Sequence, residues 1–108
     1  MVHEAFTASS VSCGRTRWIR LAGELDLATA PSLGTEFDRA AAERTRAVVL
    51  DLSRLSFMDC AAARAVVEFA DGARTRGWQL RIVGPPTPVV SRFARTPGGR
   101  RLPFGTAA

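Results

Sequence analysis

The first pattern of polar and hydrophobic positions in the chain predicts a β-hairpin. Residues 17–22 alternate, with Ile19 and Leu21 on one face, which is typical of a half-buried strand. An earlier strand around residues 5–11 leads into it through the turn Ser12-Cys13-Gly14. Because short strands joined by a glycine-containing turn favour antiparallel pairing, we expect an N-terminal hairpin.

Helical spacing replaces the strand pattern after the hairpin. The apolar positions are Leu33, Phe37, Ala40 and Ala41, and the positions that face away are Glu36, Arg39 and Glu43. This pattern predicts an amphipathic helix over roughly residues 30–44. Thr29 is the expected N-cap, and Pro31 lies in the first turn, where its missing N–H costs nothing.

The middle of the chain predicts a buried strand and a second helix. Residues 47–52 form a continuous apolar run with β-branched residues, which is typical of a strand buried on both faces in a parallel sheet. A helix follows over about residues 61–76, with Asp59 or Cys60 near its N-cap and Gly77 as its stop. Its apolar stripe consists of Ala62, Val66, Phe69 and Ala73.

The last third of the chain predicts one more strand and one more helix. Residues 78–83 alternate again, and the prolines within residues 85–88 end that strand and open a third helix. The apolar positions of this helix are Val89, Val90 and Phe93. Pro97-Gly98-Gly99 ends it, and Leu102 and Phe104 in the short tail are expected to dock on the core.

These elements follow one another in the order β-β-α-β-α-β-α. Right-handed crossovers place the third and fourth strands parallel to the second. The expected fold is a single α/β sandwich over residues 1–108. It has a mixed, mostly parallel sheet of about four to five strands, an N-terminal hairpin and about three helices. Residues 1–3 and 105–108 are expected to be flexible.

The composition excludes several classes of function. The net charge is +5, and all 15 basic residues are arginine. Without lysine the chain has no Schiff-base lysine, no P-loop lysine and no lysine partner for a phospho-aspartate. The single histidine, His3, lies near the N-terminus. Because no catalytic set can be assembled from the remaining residues, we expect neither enzymatic activity nor a cofactor.

The charge distribution and the apolar runs restrict the partners and the location. The arginines alternate with acidic residues, and no aromatic platform is interleaved with them, so we expect no nucleic-acid binding. Their local concentration within residues 92–101 is expected to solvate the last helix and the tail. No apolar run approaches the ~20 residues of a membrane span. With no secretory signal, Cys13 and Cys60 are expected to be free thiols in the cytoplasm.

Four polar side chains are candidates for a chemical role. Asp51 is placed like a receiver-domain phosphoacceptor, but the required acidic pair and lysine are missing; we expect it to bond backbone N–H groups at a strand end. Asp26 and Asp59 follow strands that leave the same end of the sheet. They either bind a metal or do acid–base work or, as we favour, cap the helices that follow. Cys60 either acts as a redox-sensitive thiolate at a helix N-terminus or fills a tight turn.

Two segments carry a more specific signal. Residues 23–33 have the sequence GELDLATAPSL, and residues 51–59 have the sequence DLSRLSFMD. They resemble the strand-two exit and the second signature of STAS domains, the sulfate transporter and anti-sigma factor antagonist family. Thr96, Gly98 and residues 102–104 fit the family's C-terminal pattern more loosely. The resemblance spans nearly the whole chain and preserves the order of its elements.

The resemblance implies an anti-sigma factor antagonist that works in a partner switch. In such systems the unmodified domain binds an anti-sigma factor that is also a serine kinase of the GHKL ATP-binding type, and this binding releases a sigma factor. Phosphorylation of a serine at the start of the second helix ends the interaction, since a phosphate adds about −2 charge to the docking surface. The partner-binding positions implied for this chain are Asp26, Met58, Asp59, Cys60, Ala61 and Arg64.

The chain departs from the family at the phosphoacceptor. After Phe57-Met58-Asp59 the family has a small residue, the serine, a glycine and a leucine, whereas this chain continues Cys60-Ala61-Ala62-Ala63. Ala61 takes the serine position and has no hydroxyl, and neither Ser53 nor Ser56 falls there. Two interpretations remain open. One is an antagonist that binds its partner constitutively; the other is a diverged STAS module that is a scaffold or subunit of another complex, handling stress signals or lipids.

Overall fold

A computed structural model describes residues 5–105 as a five-stranded sheet with helices between its strands. The strands are β1 (Thr7–Cys13), β2 (Thr16–Leu25), β3 (Ala47–Met58), β4 (Gln79–Val83) and β5 (Phe104–Gly105). The helices are α1 (Pro31–Ala42), α2 (Cys60–Thr75) and α3 (Thr87–Ala94), with a short 3-10 helix at Gly99–Arg101. The predicted order β-β-α-β-α-β-α is confirmed. A fifth strand, β5, follows these elements and contains Gly105, so the expectation that Gly105 is flexible is wrong. The expectations for His3 and for residues 1–3 and 106–108 lie outside the described residues.

The strands lie in the sheet in their order along the chain. β1 and β2 form the predicted antiparallel hairpin, whose turn contains Gly14 at φ +62°. β2, β3 and β4 are mutually parallel, as expected for strands joined by helical crossovers. Leu25 at the end of β2 pairs with Met58 at the end of β3, so the segments that follow these strands begin side by side.

The core lies on one side of the sheet. Residues of all three helices join alternate residues of β2, β3 and β4 in one buried cluster. Its largest fully buried side chains are Phe93, Ile19, Leu21, Leu25, Leu50, Leu52 and Ile82. Along β3, buried Val48 and Leu50 alternate with half-buried Ala47 and Val49. The prediction that this strand is buried on both faces is therefore wrong, because a helix layer covers only one of them.

One residue that was predicted to face away from the core on α1 is instead buried in an ion pair. The helical spacing places Glu36 away from the core, but it is only 3% exposed, and its Oε2 lies 3.6 Å from Nε of Arg17. Arg17 is 6% exposed, because it shares the inward face of β2 with Ile19 and Leu21. An unpaired charge in that position would be strongly destabilising, so opposite charges on the strand and the helix are buried together.

Smaller differences concern the start of α1, the last helix and the tail. Thr29 does not cap α1; the N-cap is Ala30, which provides no side-chain hydrogen bond. In α3, Val89 and Phe93 are buried but Val90 is exposed. Leu102 and Phe104 behave differently in the tail, as Leu102 is buried and the Phe104 ring lies on the surface, 5.7 Å from the Phe93 ring.

Candidate functional site

The candidate site is built where β2 and β3 end. The loop after β2 and the first turn of α2 emerge next to each other because the two strands are parallel neighbours. The N–H of Asp59 donates to the carbonyl of Leu25 at 3.2 Å, which continues the strand pairing into the start of α2. Asp26 and Asp59 therefore come from the same edge of the sheet, as the sequence predicts.

Asp59 joins the helix to the neighbouring loop. Its backbone is extended (φ −92°, ψ 179°), and its Oδ1 accepts a hydrogen bond from the N–H of Ala62 at 2.8 Å, as an N-cap does. Its Oδ2 accepts from the N–H of Leu27 at 3.1 Å. The prediction of a cap is confirmed for Asp59, and one carboxylate also holds the loop after β2 against α2.

Asp26 has a different role from the predicted cap. Its Oδ1 accepts from the N–H groups of Ala28 and Thr29 at 2.9 and 3.1 Å, which closes a turn within the loop before α1 begins. The Thr29 hydroxyl donates to the carbonyl of Glu24 at 3.1 Å. Both carboxylates thus accept backbone N–H groups, and residues 5–105 contain no cluster of three metal-ligating side chains.

The predicted partner-binding residues divide into exposed and buried ones. Cys60 and Arg64 are exposed at the start of α2, and Ala61 is half-buried between them. Met58 is 3% exposed and belongs to the core, so its side chain offers almost no surface to a partner. The period of two in β3 turns Met58 inward, whereas the exposed residue of this turn is Phe57, at 44%.

Two residues that the sequence did not assign to the site lie beside it, exposed Leu27 and half-buried Arg92. Leu27 is 73% exposed, although the hydrogen bond from its N–H to Asp59 fixes its backbone. Arg92 of α3 places Nη1 3.3 Å from Sγ of Cys60. An apolar residue in a polar loop was a visible signal for Leu27. Nothing in the local sequence pairs Arg92 with Cys60, because the packing of α3 beside α2 creates that contact.

We call Leu27, Cys60, Ala61, Arg64 and Arg92 the α2 face. It combines apolar and cationic groups on a shallow surface. A groove of about 530 Å³ between α1 and α2 opens beside Leu27 and is lined by Phe37 and Phe69. A larger groove of about 620 Å³ lies between Trp78 and the tail and contains none of these residues. The α2 face therefore has the character of a protein-docking surface more than that of a small-molecule pocket.

A comparison with protein families identifies the domain. The sequence model of the STAS domain family matches residues 10–104 of the chain. The chain belongs to the STAS family. This match covers nearly all of the described structure, and it confirms the resemblance carried by residues 23–33 and 51–59.

Solved structures share the fold of this STAS domain at low sequence identity. The anti-sigma factor antagonist SpoIIAA in its unphosphorylated form has a TM-score of 0.76 at 22% identity, over 96% of this chain and 89% of that one. An anti-sigma factor antagonist from Mycobacterium paratuberculosis has a TM-score of 0.79 at 18% identity, over 93% and 85%. A single-residue variant of RsbS from Moorella thermoacetica has a TM-score of 0.78 at 14% identity, over 94% and 87%. No curated protein matches the sequence significantly.

Two further observations complete the description of this STAS domain. Both cysteines, Cys13 and Cys60, are free and exposed. Within residues 5–105, none of the helices is both long enough and apolar enough to cross a bilayer.

Proposed function

We propose that this STAS domain is an anti-sigma factor antagonist whose α2 face binds an anti-sigma factor of the GHKL serine-kinase type and so releases a sigma factor. The single observation that carries the proposal is the joining of the Leu27 loop to the start of α2 by Asp59. It assembles an exposed surface around Ala61, where the family resemblance puts the phosphoacceptor. The fold shared with anti-sigma factor antagonists supports the proposal.

The chemistry of the α2 face fits a protein partner. Leu27 is an exposed apolar anchor, and Arg64 and Arg92 add cationic groups on two neighbouring helices. Fixing the loop backbone through Asp59 lowers the conformational entropy lost on docking. The partner should present an apolar depression for Leu27 with acidic groups at its rim.

Ala61 removes the usual means of ending the interaction. Its methyl group cannot accept a phosphate, and the nearest preceding hydroxyl, that of Ser56, donates to the carbonyl of Gly23 at 3.2 Å. Ser56 lies on β3, before the helix, and is not a substitute for the missing serine. We therefore propose that the domain binds its partner irrespective of ATP.

Affinity capture from native cell extract, with and without ATP, tests the proposal. The wild-type chain should retain a GHKL-type kinase in both conditions, and mass spectrometry should find no phosphate on its 60–64 peptide. Leu27→Glu should lose the kinase, whereas Arg15→Glu at the exposed hairpin turn should retain it. Failure of the wild-type chain to capture such a kinase would contradict the proposal and leave a scaffold or subunit of another complex as the function.

Restoring the hydroxyl tests the role of Ala61 separately. Ala61→Ser should become phosphorylated by the captured kinase and be released when ATP is present. Ala65→Ser adds the same hydroxyl one helical turn later and should be neither modified nor released. Equal behaviour of the two variants would exclude position 61 as the vestige of a phosphorylation switch.

A further inference from the structure

Beyond the proposed function, we infer that the outer edge of β1 pairs with β1 of a second copy of this chain, forming a two-fold dimer through a continuous sheet. Among residues 5–105, the outer edge of β1 has no strand paired with it. β1 spans seven residues with the sequence TASSVSC, which contains no charged residue and no proline. Natural sheet edges usually carry such groups because a free edge recruits other strands.

The two edges of the sheet differ in this respect. The opposite edge of the described sheet is β5, which has two residues within the range 5–105 and there offers little to another strand. Within residues 5–105 no other strand pairs with the outer side of β1, so its outward backbone groups are free along a full strand length. In a chain of net charge +5, an uncharged edge is also the place where a second copy meets the least electrostatic repulsion.

The hairpin register defines which backbone groups are free. The two-residue turn makes the closing pair, Cys13 and Thr16, exchange both of its hydrogen bonds, and every second pair along the hairpin repeats this class. The N–H and C=O groups of the intervening residues, Ala8, Ser10 and Ser12, therefore point away from β2, toward the open edge.

These free groups are self-complementary. A two-fold axis at Ser10 places Ser10 opposite Ser10 of the second copy and Ala8 opposite Ser12, in antiparallel orientation. Every outward N–H and C=O of the three residues then has a partner, because all three fall in hydrogen-bonded pairs. A shift of the register by one residue would leave these groups unpaired and would bring the helix-covered side of one sheet to the open side of the other.

β1 is already held in the conformation that pairing requires. Arg17 donates from Nη2 to the Ser10 hydroxyl at 2.8 Å and from Nη1 to the Ser12 hydroxyl at 3.0 Å. Arg17 itself is buried beside Glu36. Because the strand is anchored from its inner side, little conformational entropy remains to be lost when a second strand adds to its edge.

Apolar side chains on the side of the sheet that no helix covers enlarge the contact between the two β1 strands. We call this contact the β1 seam. Val11 is 63% exposed and pairs with Trp18, which is 44% exposed. In the proposed register Val11 faces Ser9 of the second copy, and the two Val11 side chains become diagonal neighbours. Dimerisation would cover part of this apolar surface and leave the α2 face free in both copies, since neither β1 nor Trp18 belongs to it.

The mass of the purified chain over a concentration series tests the dimer. A seam one strand wide should bury less than the ~1,200–2,000 Å² of a standard interface, so we expect dissociation on dilution. Light scattering or sedimentation should give a mass that rises from 11.6 kDa toward twice that value between about 10 μM and 1 mM. A mass that stays at the monomer value throughout would overturn the inference.

Two substitutions at one position provide the matched control. Ser10→Pro removes the outward N–H at the centre of the seam, and proline is tolerated at an edge strand. It should abolish the concentration dependence of the mass. Ser10→Ala also loses the hydroxyl but keeps the N–H, and should still dimerise. With far-UV circular dichroism showing both variants folded, equal dimerisation of the two would exclude the β1 seam.

Cross-linking tests the register directly. Thr7→Cys, in a Cys60→Ala background, places a thiol opposite Cys13 of the second copy, within the ~4.4–6.8 Å Cα separation that a disulfide spans. The two positions are too far apart on one strand to react within a chain. Mild oxidation should give a covalent dimer on a non-reducing gel. Ala8→Cys should not give a covalent dimer, because its side chain lies on the other face of the sheet. If both variants cross-linked, or neither did, this register would be rejected.

Discussion

The carboxylate of Asp59 accepts a hydrogen bond from the backbone N–H of Leu27 at 3.1 Å, across the gap between two neighbouring strand ends. Its other oxygen caps α2 through the N–H of Ala62. Folding of the helix start and presentation of Leu27 are therefore coupled through one side chain. The most exposed apolar side chain of the α2 face is positioned by its backbone, which leaves the side chain itself available to a partner.

This coupling predicts that Asp59→Ala affects stability and binding together. Loss of the cap alone should lower the free energy of unfolding by about 1 kcal/mol. Loss of the bond to Leu27 should additionally weaken capture of the partner. Asp59→Asn keeps an acceptor oxygen for the cap and should lose less stability. Urea unfolding and affinity capture measure the two effects.

Asp71→Ala serves as the control for this prediction. Asp71 lies on the same helix and makes an exposed ion pair with Arg74, at 59% and 80% side-chain exposure. Removing an exposed pair of this kind changes stability little. If Asp59→Ala behaved like Asp71→Ala in both measurements, the coupling of cap and loop would be rejected.

The buried pair of Arg17 and Glu36 predicts a strongly non-additive double mutant. Arg17→Met leaves Glu36 with only Arg39 of its own helix as a cationic partner and also breaks the ion pair of Arg17 with Glu43, so it should lower the free energy of unfolding by up to about 3–5 kcal/mol. Arg17→Met with Glu36→Leu removes both charges from the core and should recover much of that loss. Urea unfolding of the wild type, the two single variants and the double variant gives the interaction free energy of the two side chains. Simple additivity would mean that the two side chains do not interact.

The ion pair of Arg20 and Asp51 predicts acid sensitivity. Partial burial raises the pKa of Asp51, but hydrogen bonds from Ser53 and Arg20 and the charge of Arg20 outweigh it and hold the pKa below its ordinary value of 3.8. A lowered folded-state pKa contributes stability above the unfolded value, and this contribution is lost as the pH falls through the folded value.

Asp51→Asn should therefore be less stable than the wild type near neutral pH, and the difference should shrink below pH 3.8. Urea unfolding at about pH 7 and pH 3 measures this difference. Asp71→Asn, which removes the charge of an exposed carboxylate on α2, is the control for the loss of one negative charge. A difference for Asp51→Asn that stayed constant across this range would contradict the assignment.

Gly23 and Gly34 predict opposite effects of the same substitution. Gly23 lies at an irregularity of the β2–β3 register with φ +89°, and an added Cβ would meet the Ala5 carbonyl oxygen at 2.6 Å. Gly23→Ala should cost about 1–3 kcal/mol. Gly34 lies in α1 with open space around it, so Gly34→Ala should stabilise by about 0.4–1 kcal/mol. Thermal unfolding compares the two, and the same sign for both would refute the conformational argument.

Much of this protein was determined by local sequence pattern. The periods of two and 3.6 residues indicated the strands and helices, because each element must turn one apolar face toward a core. Asp59 before an apolar helix indicated its cap, and Gly77, at φ +76°, indicated where α2 stops. The resemblance at residues 23–33 and 51–59 indicated the family, and it suggested a candidate site near Ala61.

Tertiary structure alone decided which of the polar residues became buried and which surfaces combined. Glu36 lies inside because Arg17, from a strand far away in the chain, neutralises it there together with Arg39 of its own helix. Arg92 reaches Cys60 because α3 packs beside α2, and Leu27 meets Asp59 because β2 and β3 are parallel neighbours. Each of these relationships depends on a contact between distant segments. A local pattern records the preference of a residue for burial, whereas the partner that makes burial of a charge possible is known only once the chain has folded.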